Sequence, residues 1–397
     1  MFTDRVTPLK PEGAYAVLAR ATALEAQGKK IVHFEIGQPD FPTPANVTEV
    51  GMDAIHTGKT KYNPPAGLPA LRKAIASYTS QRLGLDPSTG SGQAIGPDCV
   101  LVGPGSKPGL FFPTLALVAP GDEVIYPDPG FPTYEAMIRV AGGTPVPIPL
   151  LEENGFSFDL DVFDAKISDR TKLIVLNSPS NPTGGVIPFA DLEHIAEQAK
   201  KHNAWVLSDE IYSRLAYDGG RPRSIAEVDG MLERTVIVDG FSKTYSMTGW
   251  RLGYVIAPPA LAERLELLLT HSVGCTATFT QYAGIEALTG PQDFVDKMAA
   301  EYQRRRDRML ELVNAIPGVH AQKPQGAFYL FPNVKSFGLS SKEIAARLID
   351  EAGVAVLAGS DFGAAGEGYL RLVYATSTEA IEEGMEKIAA WFKQLVK

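Results

Sequence analysis

The amino-acid sequence predicts an α/β fold: a large domain with a mostly parallel central sheet covered by helices, and a smaller α+β domain. Short apolar runs alternate with helix-length segments between about residues 98 and 257. The runs consist almost entirely of Val, Ile and Leu, which is typical of strands buried on both faces of a parallel sheet. The segments between them, such as FADLEHIAEQAKKHN (189–203), carry apolar residues at three- and four-residue steps and predict helices. This alternation favours a sheet with helices on both faces.

In chain order, the predicted strands of the large domain are CVLVG (99–103), EVIYP (123–127), KLIVLN (172–177), AWVLSD (204–209), TVIVDG (235–240) and GYVIA (253–257). Each is short and bounded by Gly, Pro, Asn or Asp, or leads into a segment with helical periodicity. Strands of this kind, joined by helices, indicate parallel crossover units in one sheet.

Beyond residue 290 the pattern changes. A long helix is predicted over residues 291–318, because it begins at a proline and ends at Pro-Gly. Further strand candidates are GAFYLFP (326–332), VAVLAG (354–359) and YLRLVYA (369–375), with KIVHFEIG (30–37) near the N-terminus. We therefore predict a large domain over residues 46–290, and a smaller one formed by residues 1–45 and 291–397.

Composition and charge argue against several classes of partner. The formal net charge of −9 disfavours a nucleic-acid surface, and the basic run QRRRDR (303–308) predicts a solvated helix face. Two cysteines are too few for a disulfide framework. No apolar run approaches a membrane span, no signal peptide is apparent, and the six histidines are scattered. We expect a cytoplasmic protein with no nucleic-acid, membrane or metal partner.

Polar residues follow the ends of four predicted strands. They are PGSKPG (104–109), SPSNPTGG (178–185), DEIY (209–212) and GFSK (240–243). Ligands of open α/β sheets bind outside the carboxyl ends of the strands, so these segments should converge. Each alone has an ordinary structural interpretation, such as a turn or a helix cap. Together they predict a site with an anion-binding loop, an Asn, an Asp with a Tyr, and a Lys.

Lys243 lies in a run whose other charges are Asp239 before it and Arg251 after it. A lysine must be neutral to attack an aldehyde, and an apolar setting with a nearby cation lowers its pKa. Pyridoxal phosphate needs such a lysine, a carboxylate against its pyridine nitrogen, donors to its ring oxygen and a phosphate cradle. The residues at the strand ends therefore predict pyridoxal 5'-phosphate as the cofactor.

The sequence resembles the class I/II aminotransferases, pyridoxal-phosphate enzymes of fold type I in the aspartate aminotransferase superfamily. GFSKTYSMTGWRLG (240–253) matches their class I lysine signature at every position. Further matching stretches are IGQPDFPTP (36–44), KYNPPAGLPALR (61–72), YPDPGFPTY (126–134), NSPSNPTGG (177–185), DEIY (209–212), GAFYLF (326–331) and GEGYLRLVYA (366–375). The resemblance implies transfer of the amino group of an L-amino acid to a 2-oxo acid by a ping-pong mechanism.

The resemblance also implies roles for residues around the cofactor ring. Lys243 is expected to form the Schiff base and then move the proton of the substrate. Asp209 is expected to pair with the pyridinium nitrogen, while Tyr212 and Asn181 hydrogen-bond the ring oxygen. Phe131 is expected to stack on the ring face. These assignments make Lys243, Asp209 and Tyr212 the expected catalytic residues.

Other matching positions imply the phosphate site. Gly105, Ser106 and Lys107 are expected to hold the phosphate, with Arg251 as its countercharge, and Ser242 belongs to the same cofactor site. The sequence departs from many relatives at residue 240, where they carry a serine that contacts phosphate and this chain carries glycine. One phosphate donor is therefore missing.

The resemblance implies a homodimer with shared active sites, because Tyr62 reaches the phosphate of the neighbouring subunit in the family. Arg371 is expected to clamp the substrate α-carboxylate bidentately, with Gly37 and Asn181 as further substrate contacts. Departures at AGSDFG (358–363) and RLV (371–373) concern the substrate side of the site.

Two alternatives to transamination remain open from the residues. A β-lyase or decarboxylase would use the same cofactor and fold. A ligand-sensing regulator would need a DNA-binding segment, and no basic helix-turn-helix precedes the domain. The amino acid is also open: an acidic side chain would need a second cation, for which Lys107 is the one candidate, whereas Tyr15, Ile36 and Phe131 favour an apolar or aromatic side chain.

Overall fold

The computed structural model describes residues 3, 5–7, 9–85 and 95–395. Its helices are α1 Gly13–Glu25, α2 Ala45–His56, α3 Pro69–Leu83, α4 Lys107–Leu117, α5 Thr133–Ala141, α6 Leu160–Lys166, α7 Phe189–Lys201, α8 Phe241–Thr244, α9 Pro259–Ser272, α10 Thr278–Thr289, α11 Asp293–Asn314, α12 Ser341–Arg347 and α13 Thr378–Leu395. Its strands are β1 Val32–His33, β2 Val100–Gly103, β3 Glu123–Asp128, β4 Thr144–Leu151, β5 Ser157–Phe158, β6 Thr171–Asn177, β7 Trp205–Asp209, β8 Thr235–Gly240, β9 Gly253–Ile256, β10 Tyr329–Leu330, β11 Val354–Ala355, β12 Leu357–Ala358 and β13 Leu370–Val373.

The main sheet confirms the predicted α/β class with a mostly parallel centre. Its strand order is β2-β9-β8-β7-β6-β3-β4-β5. Strands β4, β3, β6, β7 and β8 lie side by side in that order and run parallel to one another. Strand β9 is antiparallel to both β8 and β2, so β2 has the same direction as the parallel strands. The carboxyl ends of β2, β6, β7 and β8 therefore lie at one edge of the sheet.

The reversed strand β9 brings another segment to this edge. Because β9 is antiparallel, it begins where its neighbours end, and Gly253 is aligned with both Gly103 and Gly240. Arg251 precedes Gly253 by two residues. The reversal thus places Arg251 beside the loop after β2 and the helix after β8.

Strands β4 and β5 were not predicted, and the prolines of β4 explain why. Pro145, Pro147 and Pro149 occupy alternate positions of a strand that pairs with β3. Proline has no N–H to donate, so it is tolerated only where that donor would face an unpaired edge. On its other side β4 pairs with β5 through residues 150–151 only. The alternating prolines therefore fit the free edge of β4.

The remaining strands form two small sheets. Strand β1 pairs in parallel with β11, and β13 lies between β10 and β12 in an antiparallel sheet. A buried cluster that includes Phe34, Tyr374 and Phe392 joins the N-terminal segment to these C-terminal elements. This packing agrees with the expected association of the two segments. The division of the chain at residues 46 and 290 stays a prediction.

The prediction of a solvated face for residues 303–308 is wrong for two arginines of α11. Arg306 is fully buried, and its guanidinium bonds both carboxylate oxygens of Asp218, at 2.8 and 3.0 Å. Arg305 is nearly buried and donates to Asp40 at 2.8 and 2.9 Å. Both carboxylates come from loops far away in sequence, so the run itself contains no signal of this pairing.

Within the described residues, no helix has both the length and the apolar character needed to cross a membrane. The same part of the chain contains no group of three or more His, Cys, Asp or Glu side chains arranged to hold a metal ion.

Candidate active site

A cavity of about 760 Å³ opens at the carboxyl edge of the sheet. It brings together most residues predicted from the sequence: Gly37, Ser106, Lys107, Phe131, Asn181, Asp209, Tyr212, Ser242, Lys243, Arg251 and Arg371. Gly105 directly precedes Ser106 in the loop after β2. Tyr62 does not line this cavity and has a relative exposure of 96%.

Lys243 lies on the short helix α8, which follows β8 directly. Its Nζ donates a hydrogen bond to the carbonyl oxygen of Gly37 at 2.6 Å. Burial lowers the pKa of Lys243 to about 8, with further contributions from the charges of Arg371 and Arg251. An amine with this pKa is partly neutral near pH 8 and can act as a nucleophile or a base.

Asp209, the last residue of β7, presents a buried carboxylate to the cavity. The Tyr134 hydroxyl donates to its Oδ2 at 2.7 Å, and the Ile211 amide donates to its Oδ1 at 3.3 Å. Burial raises the pKa of Asp209 to about 6, although the hydrogen bond from Tyr134 opposes this shift. The carboxylate is therefore still largely ionised at neutral pH. Tyr134, on α5, is a site residue to which sequence reasoning gave no role.

Tyr212 is held by a second tyrosine. Its hydroxyl oxygen lies 2.6 Å from that of Tyr329, on β10, and both side chains are buried. Burial and the neighbouring Tyr329 raise the pKa of Tyr212 well above its usual value. Gly37 approaches the same group so closely that an added Cβ would lie 2.4 Å from the Tyr329 hydroxyl oxygen. Tyr329 therefore orients Tyr212 and requires glycine at residue 37.

Arg371, on β13, is buried on the far side of the cavity. Its Nη1 donates to Asn181 Oδ1 at 3.2 Å, and its Nη2 donates to the carbonyl oxygen of Glu35. Its guanidinium carbon lies 4.8 Å from the Tyr329 ring and 4.9 Å from the Phe362 ring. Arg371 Nε is buried without a partner among the described residues. A fixed guanidinium with an unused donor is suited to bind a carboxylate.

The loop after β2 forms a close-fitting cradle. Gly105 has a φ of 87°, and an added Cβ would lie 2.1 Å from Arg251 Nη2. The Ser106 hydroxyl donates to the carbonyl oxygen of Asp239 at 3.0 Å. A guanidinium over a glycine loop at the start of α4 gives both charge and backbone donors to an anion.

The glycine at residue 240 has a structural reason. An added Cβ there would lie 2.6 Å from Ser106 Oγ and 3.0 Å from the Cα of Gly253. The Ser106 hydroxyl thus occupies the space that a serine at residue 240 would need. This packing explains why glycine occupies residue 240, and the missing phosphate donor stays a prediction.

Lys107 begins α4 and lines the cavity, but its ammonium makes an ion pair with Glu12. Its Nζ also lies 5.2 Å from the centroid of the Phe131 ring. Phe131 in turn packs edge-on against Tyr134 at 5.8 Å. Sequence reasoning missed Glu12, because nothing in the N-terminal segment marks it as part of the site.

Comparisons with known proteins agree with this geometry. The family profile described as aminotransferase class I and II matches residues 29–388. The chain is 40% identical to an aspartate aminotransferase of Pyrococcus abyssi over 91% of each chain. It is 37% identical to aromatic-amino-acid aminotransferase 2 of Thermococcus litoralis, over 99% of this chain and 98% of that one. Aspartate aminotransferase from Thermus thermophilus with maleate superposes with a TM-score of 0.91 at 39% identity, covering 98% and 99% of the two chains.

Proposed function

The chain belongs to the family of class I and II aminotransferases and is a pyridoxal-phosphate-dependent transaminase, and we propose that its chemistry takes place in the cavity around Lys243. One observation carries the proposal: a lysine of lowered pKa, the buried carboxylate of Asp209 and the buried guanidinium of Arg371 meet in one cavity. The substrates are an L-amino acid and a 2-oxo acid.

The residues present fit pyridoxal phosphate. The glycine loop at the start of α4, with the Arg251 guanidinium against Gly105, suits a phosphate, and the buried carboxylate of Asp209 suits a protonated ring nitrogen. Tyr212 and Asn181 line the same cavity as Lys243 and would be the donors to the ring oxygen. When bound, the cofactor supplies an aldehyde carbon for amines and a ring that accepts electrons.

We assign the movement of protons to Lys243. Its amine is held by the Gly37 carbonyl at 2.6 Å, and burial, with the nearby cations Arg371 and Arg251, lowers its pKa so that part of it is neutral. A neutral amine can take a proton from the α carbon of the substrate and return one. Asp209 contributes a fixed negative charge, which the Tyr134 hydroxyl orients.

We assign the orientation of the substrate to Arg371. Asn181 and the Glu35 carbonyl hold two of its nitrogens, and the rings of Tyr329 and Phe362 flank its plane. The guanidinium therefore presents a fixed fork to an α-carboxylate, and binding of that group positions the amine toward Lys243.

The decisive experiment is a single half-reaction. The cofactor-loaded protein, mixed with one L-amino acid and no oxo acid, should lose the absorption of the aldehyde form and release one equivalent of the matching 2-oxo acid. Addition of a second oxo acid should restore the absorption. Continuous release of pyruvate and ammonia, or of carbon dioxide, would instead identify the lyase or decarboxylase alternative, which the comparisons do not favour.

We also propose a homodimer in which each subunit completes the phosphate site of the other. Tyr62 is exposed on the segment between α2 and α3, and Asn63 anchors that segment by donating to the Thr276 carbonyl at 2.7 Å. Thr276 and Arg251 line one further cavity of about 760 Å³ next to the cradle. The anchoring of this segment to the wall of the second cavity, with Tyr62 exposed, supports a contact of Tyr62 with a second subunit.

Replacing Tyr62 with phenylalanine should leave a dimer by sedimentation and weaken cofactor binding about tenfold or more, because one hydrogen bond to a charged group is lost. Hybrid dimers make the test sharper. In a hybrid of Lys243→Ala and Tyr62→Phe subunits, the site with the intact lysine should bind the cofactor with unaltered affinity, because its tyrosine comes from the other chain. A weakened site in the hybrid, or a monomeric protein, would contradict the proposal.

A cytoplasmic location is part of the proposal. Cys99 and Cys275 are both free thiols, which is the usual state in a reducing compartment.

A further inference from the structure

The names of the relatives do not decide which amino acid this transaminase prefers, since one is named for aspartate and another for aromatic amino acids. The side chain of the substrate must extend away from Arg371 into the rest of the cavity. Besides Asp209, Lys243, Arg251 and Arg371, the charged or titratable groups lining the cavity are Glu12, His33, Glu35 and Lys107. The net charge that these groups present to the substrate side chain should therefore determine which amino acids are preferred.

Lys107 is the cation available to a second carboxylate in this part of the cavity, and it already has a partner. Its Nζ contacts Glu12 Oε1, with the two side chains 46% and 27% exposed. Since both groups line the cavity, a substrate carboxylate approaching Lys107 would meet the charge of Glu12 at the same place. It would have to displace Glu12 or accept repulsion from it.

The other charged groups do not offset this negative charge. Glu35 is fully buried and accepts from or donates to the His33 ring at 2.8 Å, and the other ring nitrogen lies 3.1 Å from Glu25. The single imidazole is therefore shared by two carboxylates. Asp361 adds a further carboxylate close to Gly13, partly balanced by Lys342, whose Nζ lies 3.8 Å from its Oδ1.

Glu12 is held in place by the packing of its neighbours. An added Cβ at Gly13 would lie 2.6 Å from Asp361 Oδ2, so the backbone after Glu12 lies directly against this loop. Helix α1 begins at Gly13, and its Ala21 is buried in a cluster with Ile31 and Ala355. Glu12 is thus part of a docked segment whose position relative to Lys107 is determined by the fold.

We propose that Glu12 is a specificity-determining residue that neutralises Lys107 and makes the enzyme prefer amino acids with uncharged side chains over aspartate and glutamate. The neighbouring Ala14, Tyr15, Leu18 and Ile36 line the cavity with mostly apolar surface, which suits such side chains. This inference rests on the proposed function, because it concerns substrates bound through Arg371.

The test compares Glu12→Gln with the unmodified enzyme. Half-reactions with aspartate and glutamate should gain about 10- to 100-fold in kcat/KM, since a like charge next to a ligand carboxylate is removed. The kcat/KM of the half-reactions with alanine and phenylalanine should change less than about threefold. The double variant Glu12→Gln/Lys107→Gln should lose the gain in kcat/KM for acidic substrates. The control Glu25→Gln, which removes a carboxylate from the end of α1, should not show this gain. Calorimetric titration should show tighter binding of succinate, and unchanged binding of propanoate, to Glu12→Gln.

The outcomes separate this inference from the proposed function. An unchanged ratio of acidic to neutral substrates in Glu12→Gln, with normal neutral half-reactions, would overturn the role of Glu12 and leave the function standing. If Glu12→Gln changes only the affinity for pyridoxal phosphate, Lys107 binds the cofactor phosphate and not a substrate carboxylate. This outcome also overturns the inference. If the unmodified protein converts no amino acid at all, the proposed function itself fails.

Discussion

Replacing Lys243 with alanine is expected to abolish turnover. The variant lacks the amine that attacks the cofactor aldehyde and the base that moves the substrate proton, and loss of a positioned base alone costs about 10²–10⁴-fold in rate. Kinetics should show a fall in kcat of about 10⁴-fold or more, because both functions reside in one side chain. Borohydride reduction of the cofactor-loaded protein, followed by mass spectrometry, should no longer find a modified lysine at this position.

The lowered pKa of Lys243 gives this prediction a pH dependence. In the cofactor-free protein the amine gains nucleophilicity as it loses its proton, so capture of pyridoxal, which has no phosphate, should accelerate as pH rises toward about 8 and level off above it. A lysine with an ordinary pKa of about 10.4 would show a rate still rising at pH 9 and above. The pH profile of borohydride-trapped adduct therefore measures the effect of burial and of the neighbouring arginines.

Lys107→Ala is the matched control, because it removes another lysine from the same cavity. With saturating pyridoxal it should retain the borohydride-fixed adduct at Lys243 and nearly the same pH profile of capture, since burial, Arg371 and Arg251 affect the pKa of Lys243 more than Lys107 does. Substantial turnover by Lys243→Ala, or a borohydride-fixed adduct at Lys107 and none at Lys243 in the unmodified protein, would contradict the assignment.

The convergence of site residues could be predicted because parallel strands end at one edge. Asn181 follows β6, Asp209 ends β7 and Lys243 follows β8, so a correct prediction of the strands places all three together. Prediction of the position of Arg251 also requires the direction of β9, because this strand runs antiparallel to β8. A local apolar run gives no information on strand direction.

The residues that orient the site could not be predicted from local patterns. Tyr134 and Tyr329 lie within stretches that match the family, yet their partners Asp209 and Tyr212 are 75 and 117 residues away. Such contacts depend on how a helix and a small sheet pack against the main sheet. No periodicity in the sequence encodes that packing.

Buried charge was the other failure of sequence reasoning. The run that contains Arg306 has the composition of a solvated face, but Asp218 from a distant loop makes its burial possible. A charged side chain is tolerated inside a protein when its partners satisfy it. Glu12 was missed for the same reason, because its partner Lys107 lies on another element of the fold.

Replacing Arg371 with lysine should be the most damaging change on the substrate side. Lysine keeps the charge but loses the planar fork, along with the contacts to Asn181 and the Glu35 carbonyl that orient it. Weakening the buried charge pair between residue 371 and the substrate α-carboxylate costs about 2–5 kcal/mol. The value of kcat/KM for α-amino acids should therefore fall about 30- to 4000-fold. A large part of the loss should appear in KM, because the carboxylate is bound before as well as during the reaction.

Two comparisons decide whether this loss reflects carboxylate binding. A primary amine without a carboxyl group should react in the half-reaction equally slowly with Arg371→Lys and with the unmodified enzyme, since it makes no use of the fork. Arg306→Lys changes another fully buried arginine, one paired with Asp218 outside the cavity. It should lower the melting temperature while leaving kcat/KM close to its original value. An equal loss for the amine and the amino acid would assign Arg371 to the structure of the domain rather than to the substrate.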